Sequence, residues 1–260
     1  MSARLLLVAG CLAALGGPAS AQVLELELEG RYWPATLAST VRVTGADGEV
    51  PADLATIDLK GDLGLRDKKL TDWRVTLFTG PRSRLRVAYV KMDYNADQEV
   101  QRTFVFNGQP FTVGTRVVTA LRLDYWRSGW IWEFVGRPSS KVRFGTLIEA
   151  KTISVDTSLS GPNLIPPVAE KKKLSGTLPT LGVVLDINPT PTVNIFAEVS
   201  GIRWGDKGHA LDGEAGVRLI LGSHAVLDAG YRTFDLEITD DPDFAKLKNS
   251  GPYVGLGVRF

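Results

Sequence analysis

The amino-acid sequence predicts an all-β fold: a closed, antiparallel, up-and-down transmembrane β-barrel of about ten strands, with eight or twelve as the alternatives. Three observations predict it. Short segments along the chain alternate apolar with polar or charged residues at period two, which is the period of a strand. Within each segment the charges keep to one face and an unbroken apolar set to the other. The last ten residues form such a strand and stop on an aromatic ring. Val254, Leu256, Val258 and Phe260 share one face of it, and Tyr253, Gly255, Gly257 and Arg259 the other.

Residues 1–21 read as a secretory signal peptide. Arg4 supplies a positive start, Leu5 to Leu15 an apolar run, and Ala19-Ser20-Ala21 a small-residue cleavage site before Gln22. Val8-Ala9-Gly10-Cys11 resembles a lipoprotein processing box, but cleavage there would leave too short an apolar region before Cys11 and an apolar stretch after it. Cys11 is the only cysteine, so the expected mature chain, 22–260, has no thiol chemistry, disulfide or cysteine metal site. A net charge of +1 leaves no electrostatic footprint for nucleic acid. After the signal no run of about 18 apolar residues remains to form a transmembrane helix, and no P-loop or Rossmann glycine pattern occurs. One β domain fills 22–260.

The strands follow in order. Leu24, Leu26, Leu28, Gly30 and Tyr32 alternate with Glu25, Glu27, Glu29, Arg31 and Trp33. Trp73, Val75 and Leu77 oppose Asp72, Arg74 and Thr76. Leu85, Val87 and Tyr89 oppose Arg86 and Ala88, and the phase slips near Val90, where a bulge or the exit from the membrane is expected. Trp126, Ser128, Trp130, Trp132 and Phe134 oppose Arg127, Gly129, Ile131 and Glu133. Val142, Phe144, Thr146, Ile148 and Ala150 oppose Arg143, Glu149 and Lys151. Leu181, Val183, Leu185 and Ile187 oppose Gly182 and Asp186. Val193, Ile195, Ala197 and Val199 oppose Asn194, Glu198 and Ser200. Leu211, Ala215, Val217 and Leu219 oppose Asp212, Glu214 and Arg218. Leu227, Ala229 and Tyr231 oppose Asp228, Gly230 and Arg232, and the terminal strand makes ten.

An even count places both termini on one side. Turn-forming residues fall after every second strand: Gly80 to Ser83, Arg137 to Ser140, Asn188 to Pro191 and Gly222 to His224. The alternate connections are longer, over roughly 45–70, 95–116, 157–177 and 239–249, with a short one near 205–209. Asn107-Gly108 is a hairpin signal inside the second, so strands three and four are expected to extend beyond the membrane and join in a protruding hairpin.

The charged face must point inward, because an Arg or Lys facing lipid near the midplane costs about 2–4 kcal/mol. The expected lumen therefore holds Glu25, Glu27, Glu29, Arg31, Asp72, Arg74, Arg86, Arg127, Glu133, Arg143, Glu149, Lys151, Asp186, Glu198, Asp212, Glu214, Arg218, Asp228, Arg232 and Arg259. The two signs nearly cancel, so a compensated, largely filled interior is expected. A soluble barrel would show the opposite polarity, apolar inside and charged outside.

Few residues suggest chemistry. His209, near Asp206 and Asp212, offers a carboxylate–His pair at the outer rim, and Ser200 lies inward on the strand before. No spacing there matches a hydrolase motif, and loop polarity explains the group as well. His224 reads as a turn residue. Asp240, Asp241 and Asp243 lack the oxygen count and order of a calcium loop, and Lys171-Lys172-Lys173 reads as solvated or as facing lipopolysaccharide phosphates. Trp126, Trp130, Trp132, Phe134, Tyr32 and Tyr231 read as interfacial anchors. No metal or cofactor is expected.

The alternation ending on Phe260 resembles the terminal strand of bacterial outer-membrane β-barrels, where it serves as the assembly signal, and the whole pattern resembles small barrels of the OmpA/OmpW kind. The resemblance implies outer-membrane localisation, monomeric state, lipid and lipopolysaccharide neighbours, and engagement of the barrel-assembly machinery through Val254, Leu256, Val258 and Phe260. Ten strands depart from the eight of those families, and no peptidoglycan-binding domain follows Phe260. The implied function is a non-enzymatic barrel for surface interaction or narrow solute passage, with a rim hydrolase at His209 as the alternative. Deleting Phe260 is expected to lower the yield of assembled barrel in cells, measured as heat-modifiable protein in the outer-membrane fraction.

Overall fold

Ten long strands form one sheet that closes on itself. The computed structural model describes residues 24–44, 51, 55–136, 139–163 and 167–260; the expected signal peptide with Cys11, and Arg137-Pro138, lie outside them. The elements are β1 (Glu25–Arg42), β2 (Thr56–Asp58), β3 (Lys68–Gly80), β4 (Ser83–Glu99), β5 (Phe104–Phe106), β6 (Gln109–Phe111), β7 (Arg116–Val135), β8 (Val142–Gly161), β9 (Val168–Thr190), β10 (Val193–Arg203), β11 (Gly208–Leu221), β12 (Ala225–Asp240) and β13 (Asp243–Arg259). Each barrel strand pairs antiparallel with the next, and β13 pairs with β1 to close the ring. Crossing from partner to partner, Thr190 leads through Val193, Leu219, Leu227, Leu256, Gly30, Trp73, Tyr89, Trp126 and Thr152 back to β9 at Thr177. That stagger means the strands tilt, as closure of a sheet requires.

The ten expected segments are the ten barrel strands, but most run further than the alternation with an apolar outside suggested. The outward apolar belt spans Leu24 to Tyr32 on β1 and Trp126 to Phe134 on β7. Eight steps give about 26 Å of strand, or about 20 Å of height at a tilt of about 40°. Beyond the belt, on the end opposite the chain termini, alternation continues with its polarity reversed. On β4, Ala88, Val90, Met92 and Tyr94 are buried inside, while Lys91, Asp93 and Asn95 face out. The expected phase slip near Val90 is this reversal and not a bulge: β4 and β7 stay in unbroken register from Ser83 to Glu99.

Two connections expected as long loops are therefore strand. The stretch 157–177 belongs largely to β8 and β9, which pair from Val142 to Gly161, and Lys171 and Lys173 are strand residues. Residues 239–249 form a tight turn at Asp241-Pro242. There Asp243 accepts from the Thr44 backbone and hydroxyl at 2.8 Å, so the acidic tip ties two connections together. Asn107 (φ 50°) and Gly108 (φ 77°) make the expected tight turn. They join β5 to β6, a separate two-stranded unit, and are not the tip of a β4–β7 hairpin.

That unit and the 55–65 segment fill the distal mouth. Phe104, Phe111, Ile57 and Leu65 are fully buried with Leu37, Met92, Tyr94, Leu123, Tyr125 and Phe234 from the barrel wall. The Phe104 and Phe111 rings stack at 5.2 Å. Arg102 clamps the two segments, donating to Asp62 at 2.7 Å and to the Thr56 carbonyl. Asp67 accepts from the Leu37 amide at 2.9 Å and from Lys60 at 2.7 Å; the Lys60 bond, with the amide, holds its carboxyl below the usual range. The expectation of a charged lumen throughout is thus corrected. The distal half has the interior of a soluble barrel, because water and not lipid meets its outside.

Two substitutions on one strand check the boundary. Val87→Arg, within the belt, is expected to cost about 2–4 kcal/mol, and Asn95→Arg, above it, within about 0.5 kcal/mol of zero, both read as urea midpoints in lipid vesicles.

Candidate functional site: the charged lumen and the outer rim

The terminal half of the lumen is built from the inward faces of the belt strands, which carry the charged set together with a small buried apolar cluster, Ile131, Leu147 and Val184. At the terminal mouth Arg84 and Arg143 share Glu133 and Asp186, at 2.9 and 3.1 Å from Arg84 and 3.2 and 3.9 Å from Arg143. Arg259 meets Glu25 at 2.8 Å and Glu27 at 2.7 Å. Arg218 reaches Glu27 and Glu29 at 3.2 Å and Asp228 at 2.8 Å.

Further in, Arg31 contacts Glu29, Glu214 (2.9 Å) and Asp228 (3.1 Å). Arg74 donates to Glu214 at 2.7 Å and to Asp72 at 3.0 Å. Arg86 forks onto Glu198 at 2.7 and 2.8 Å, with Glu149 at 3.4 Å. Deepest, Arg232 bridges Asp72 (2.6 Å) and Asp212 (2.9 Å), and Arg127 lies 3.3 Å from Asp212. Tyr125 donates to Asp212 at 2.9 Å. Lys151 donates to the Ser200 hydroxyl at 2.8 Å, and Ser200 to Glu149 at 2.6 Å. Arg31 and Arg232 lie over the rings of Tyr253 and Trp33, at 4.6 and 4.7 Å, where the charged half meets the apolar half.

Every cation expected in the lumen thus lies against a carboxylate. The remaining space is a cavity of about 190 Å³ at the terminal mouth, lined by Arg84, Arg86, Arg143, Glu198 and Asn194 among others. It does not reach the distal end, which the apolar stopper fills. Arg84, Tyr125 and Asn194 are members that the expected set lacks. Arg84 was legible as the continuation of Arg86 at period two. The tyrosine was not, because polar and apolar inward residues interleave at its level.

At the outer rim the expected pairing of His209 is corrected. His209 lies in β11 and points outward, whereas Asp212, three residues on, points into the lumen. Three is an odd spacing, and in a strand odd spacings fall on opposite faces. Asp206 lies in the exposed turn Gly205–Lys207, outside the strand. The carboxylates beside His209 come from β12: Asp235 at 3.4 Å and Glu237 at 3.8 Å. Ser200 lies inside the barrel with Lys151, away from His209. His224 sits in a terminal turn against the Ser223 hydroxyl at 2.6 Å.

Asp212→Ala is expected to cost about 3–5 kcal/mol, since Arg127 and Arg232 would be left buried beside a missing partner. Glu198→Ala is expected to cost about 1–3 kcal/mol, because Glu149 remains near Arg86. Equilibrium unfolding in vesicles, followed by tryptophan fluorescence, checks both.

No family model matches the chain, and no curated protein does. Among solved structures the chain is similar to the outer-membrane protease OmpT from Escherichia coli, with 8% identity over 91% of this chain and 97% of that one and a TM-score of 0.53. Ail of Yersinia pestis matches at 12% identity over 91% and 99% of the two chains, with a TM-score of 0.38. Neisserial surface protein A matches at 12% over 91% and 97%, also at 0.38. The likeness is one of fold: the chain is a closed, antiparallel, ten-stranded barrel of the kind that small bacterial outer-membrane proteins build.

Proposed function

We propose that this protein is a non-enzymatic integral barrel of a bacterial outer membrane, with both termini in the periplasm, whose closed interior carries a tall, water-facing rim for surface interaction. The observation behind this reading is the double closure of the lumen. An ion path needs continuous water. Here the distal third of any path runs through Phe104, Phe111 and Leu65, which are buried to within about 1% of complete, and the proximal part through paired charges. The apolar belt, the aromatic residues at its edges (Tyr32, Trp73, Trp126, Trp132 and Phe134) and the terminal Phe260 support the location. The same terminal strand is the element by which the assembly machinery would engage the chain. Closure of β13 on β1 leaves the sheet no long free seam in the belt, which favours a monomer.

The competing reading is a rim hydrolase at His209, and its support is the acid–His geometry with Asp235. Against it, the hydroxyl the sequence offered, Ser200, is inside the wall and engaged by Lys151 and Glu149. Refolded protein in planar bilayers is expected to give no stepwise conductance, and no cleavage of peptide or lipid A ester that depends on His209. Discrete channels would sink the closed-lumen reading. Turnover abolished by His209→Ala would replace the proposal with the hydrolase.

A further inference from the structure

One interruption of the belt's outside lies on β10. On β10 the outward residues are Val199, Gly201 and Arg203, and Gly201 stands in register between Leu181 of β9 and Leu211 of β11. Glycine is required there, because a Cβ would come within 2.7 Å of the Ala210 carbonyl oxygen and 3.1 Å of Leu211. Beside it lies an open outward notch with apolar walls of Leu181, Val183, Val199 and Leu211, and with Arg203 and His209 on its lip. Leu181 is 68% exposed beside this gap. The notch opens at the distal edge of the belt: the next outward residues above Gly201 and Leu211 are Arg203 and His209, both polar.

The lip is basic. Arg203 ends β10 exposed, with only the Gly205 carbonyl near its Nε, at 3.4 Å. Lys207 is exposed in the turn that follows. Among the described residues neither has a carboxylate within 4.0 Å. Several cations above the belt are paired on the same outer face: Lys91 with Asp93 at 3.6 Å, Lys246 with Glu237 at 3.0 Å and Lys248 with Asp235 at 3.9 Å. Asp235 and Glu237 therefore answer to β13 and to His209, and Asp206 is the single acid within the turn itself.

We infer that the Gly201 notch, with Arg203 and Lys207 above it, is a binding site for one net-anionic, phosphate-bearing acyl lipid of the outer leaflet. An acyl chain lies along β10 in the gap that glycine leaves, and the phosphate meets the two cations at headgroup height. A neutral lipid fills the notch equally well but leaves both cations unanswered. An anion without acyl chains meets two exposed side chains and nothing else. Phosphate chemistry and apolar volume are both needed, and they coincide at this notch. The inference rests on the reading of the belt as membrane-facing.

The test is lipid retention. Refolded protein in nanodiscs of phosphatidylcholine doped with bis-phosphorylated lipid A is extracted into mild detergent, and co-isolated lipid is counted by native mass spectrometry. Wild type is expected to keep one lipid A and to exclude phosphatidylcholine. The Arg203→Ala/Lys207→Ala double variant, altered only at exposed positions, is expected to lose at least about tenfold in retention. Val199→Trp, which fills the notch without touching the cations, is expected to lose it also. Millimolar pyrophosphate is expected to leave the bound lipid in place. Equal retention of lipid A by the double variant, or of phosphatidylcholine by wild type, overturns the site, and displacement by pyrophosphate overturns its acyl part. Refolding is read separately, from the gel-mobility shift on heating, so failed retention by a refolded barrel removes the lipid site and leaves the membrane barrel standing.

Discussion

The structure depends on one closure, the pairing of β13 with β1 from Glu27–Arg259 to Arg42–Phe244. In a closed sheet every backbone group of the belt finds its partner within the wall, which is the condition for a β-structure to lie in lipid. Closure also divides every strand into an inside and an outside with no exceptions. Whatever the outside meets then dictates what the inside must be. Within the belt the outside takes most of the apolar residues, so the inside is left mainly with charge, Ile131, Leu147 and Val184 excepted. Above it the outside meets water, the apolar residues turn inward, and the same strands acquire an ordinary hydrophobic core.

The two halves hold together by different physics. Burying the distal core removes apolar surface from water at roughly 25 cal/mol per Å², a non-directional term that the β5–β6 unit and the 55–65 segment exploit. The proximal half must offset the desolvation of many ions, and it does so by networking: Asp72 and Asp212 each serve more than one cation, and Glu214 serves Arg31 and Arg74 together. Such a network fixes register, because sliding one strand by a residue would send its charges into lipid. Trp33 and Tyr253, stacked under Arg232 and Arg31, are the seam between the regimes.

Much of this was legible in the sequence, and the failures share a cause. Strand number, phase and inward charges follow from period two, because lipid tolerates no exception to it in residues such as Val199 or Trp130. Strand length followed only for β4 and β7, which the hairpin signal extends; elsewhere the alternation is tracked by its apolar outside, which ends at Ala150 and Tyr231. Met92, Tyr94, Leu236 and Leu247 continue the same period with the faces exchanged. The stopper carries no period at all. Phe104, Phe106 and Phe111 read as a loop around Asn107-Gly108, and only the position of the mouth beneath them gives those rings something to bury against. At the rim, Asp235 lies 26 positions from His209 and is set beside it by the β11–β12 register alone.

These constraints also fix where function can sit. The lumen's charged side chains lie against one another, and a cavity of about 190 Å³ lies on the terminal side. The wall within the belt is committed to lipid. The proposed surface role rests on the outer surface above the belt, where Lys91, Asp97, Arg116, Lys173 and Lys246 are exposed on strands that continue past the apolar belt. A scaffold of this height, held rigid by a packed core and anchored by a charged one, suits presentation more than passage. One departure from a smooth wall, the glycine on β10, falls at the level where membrane and water meet. That is the level at which a lipid headgroup would report the composition of the leaflet to the surface above.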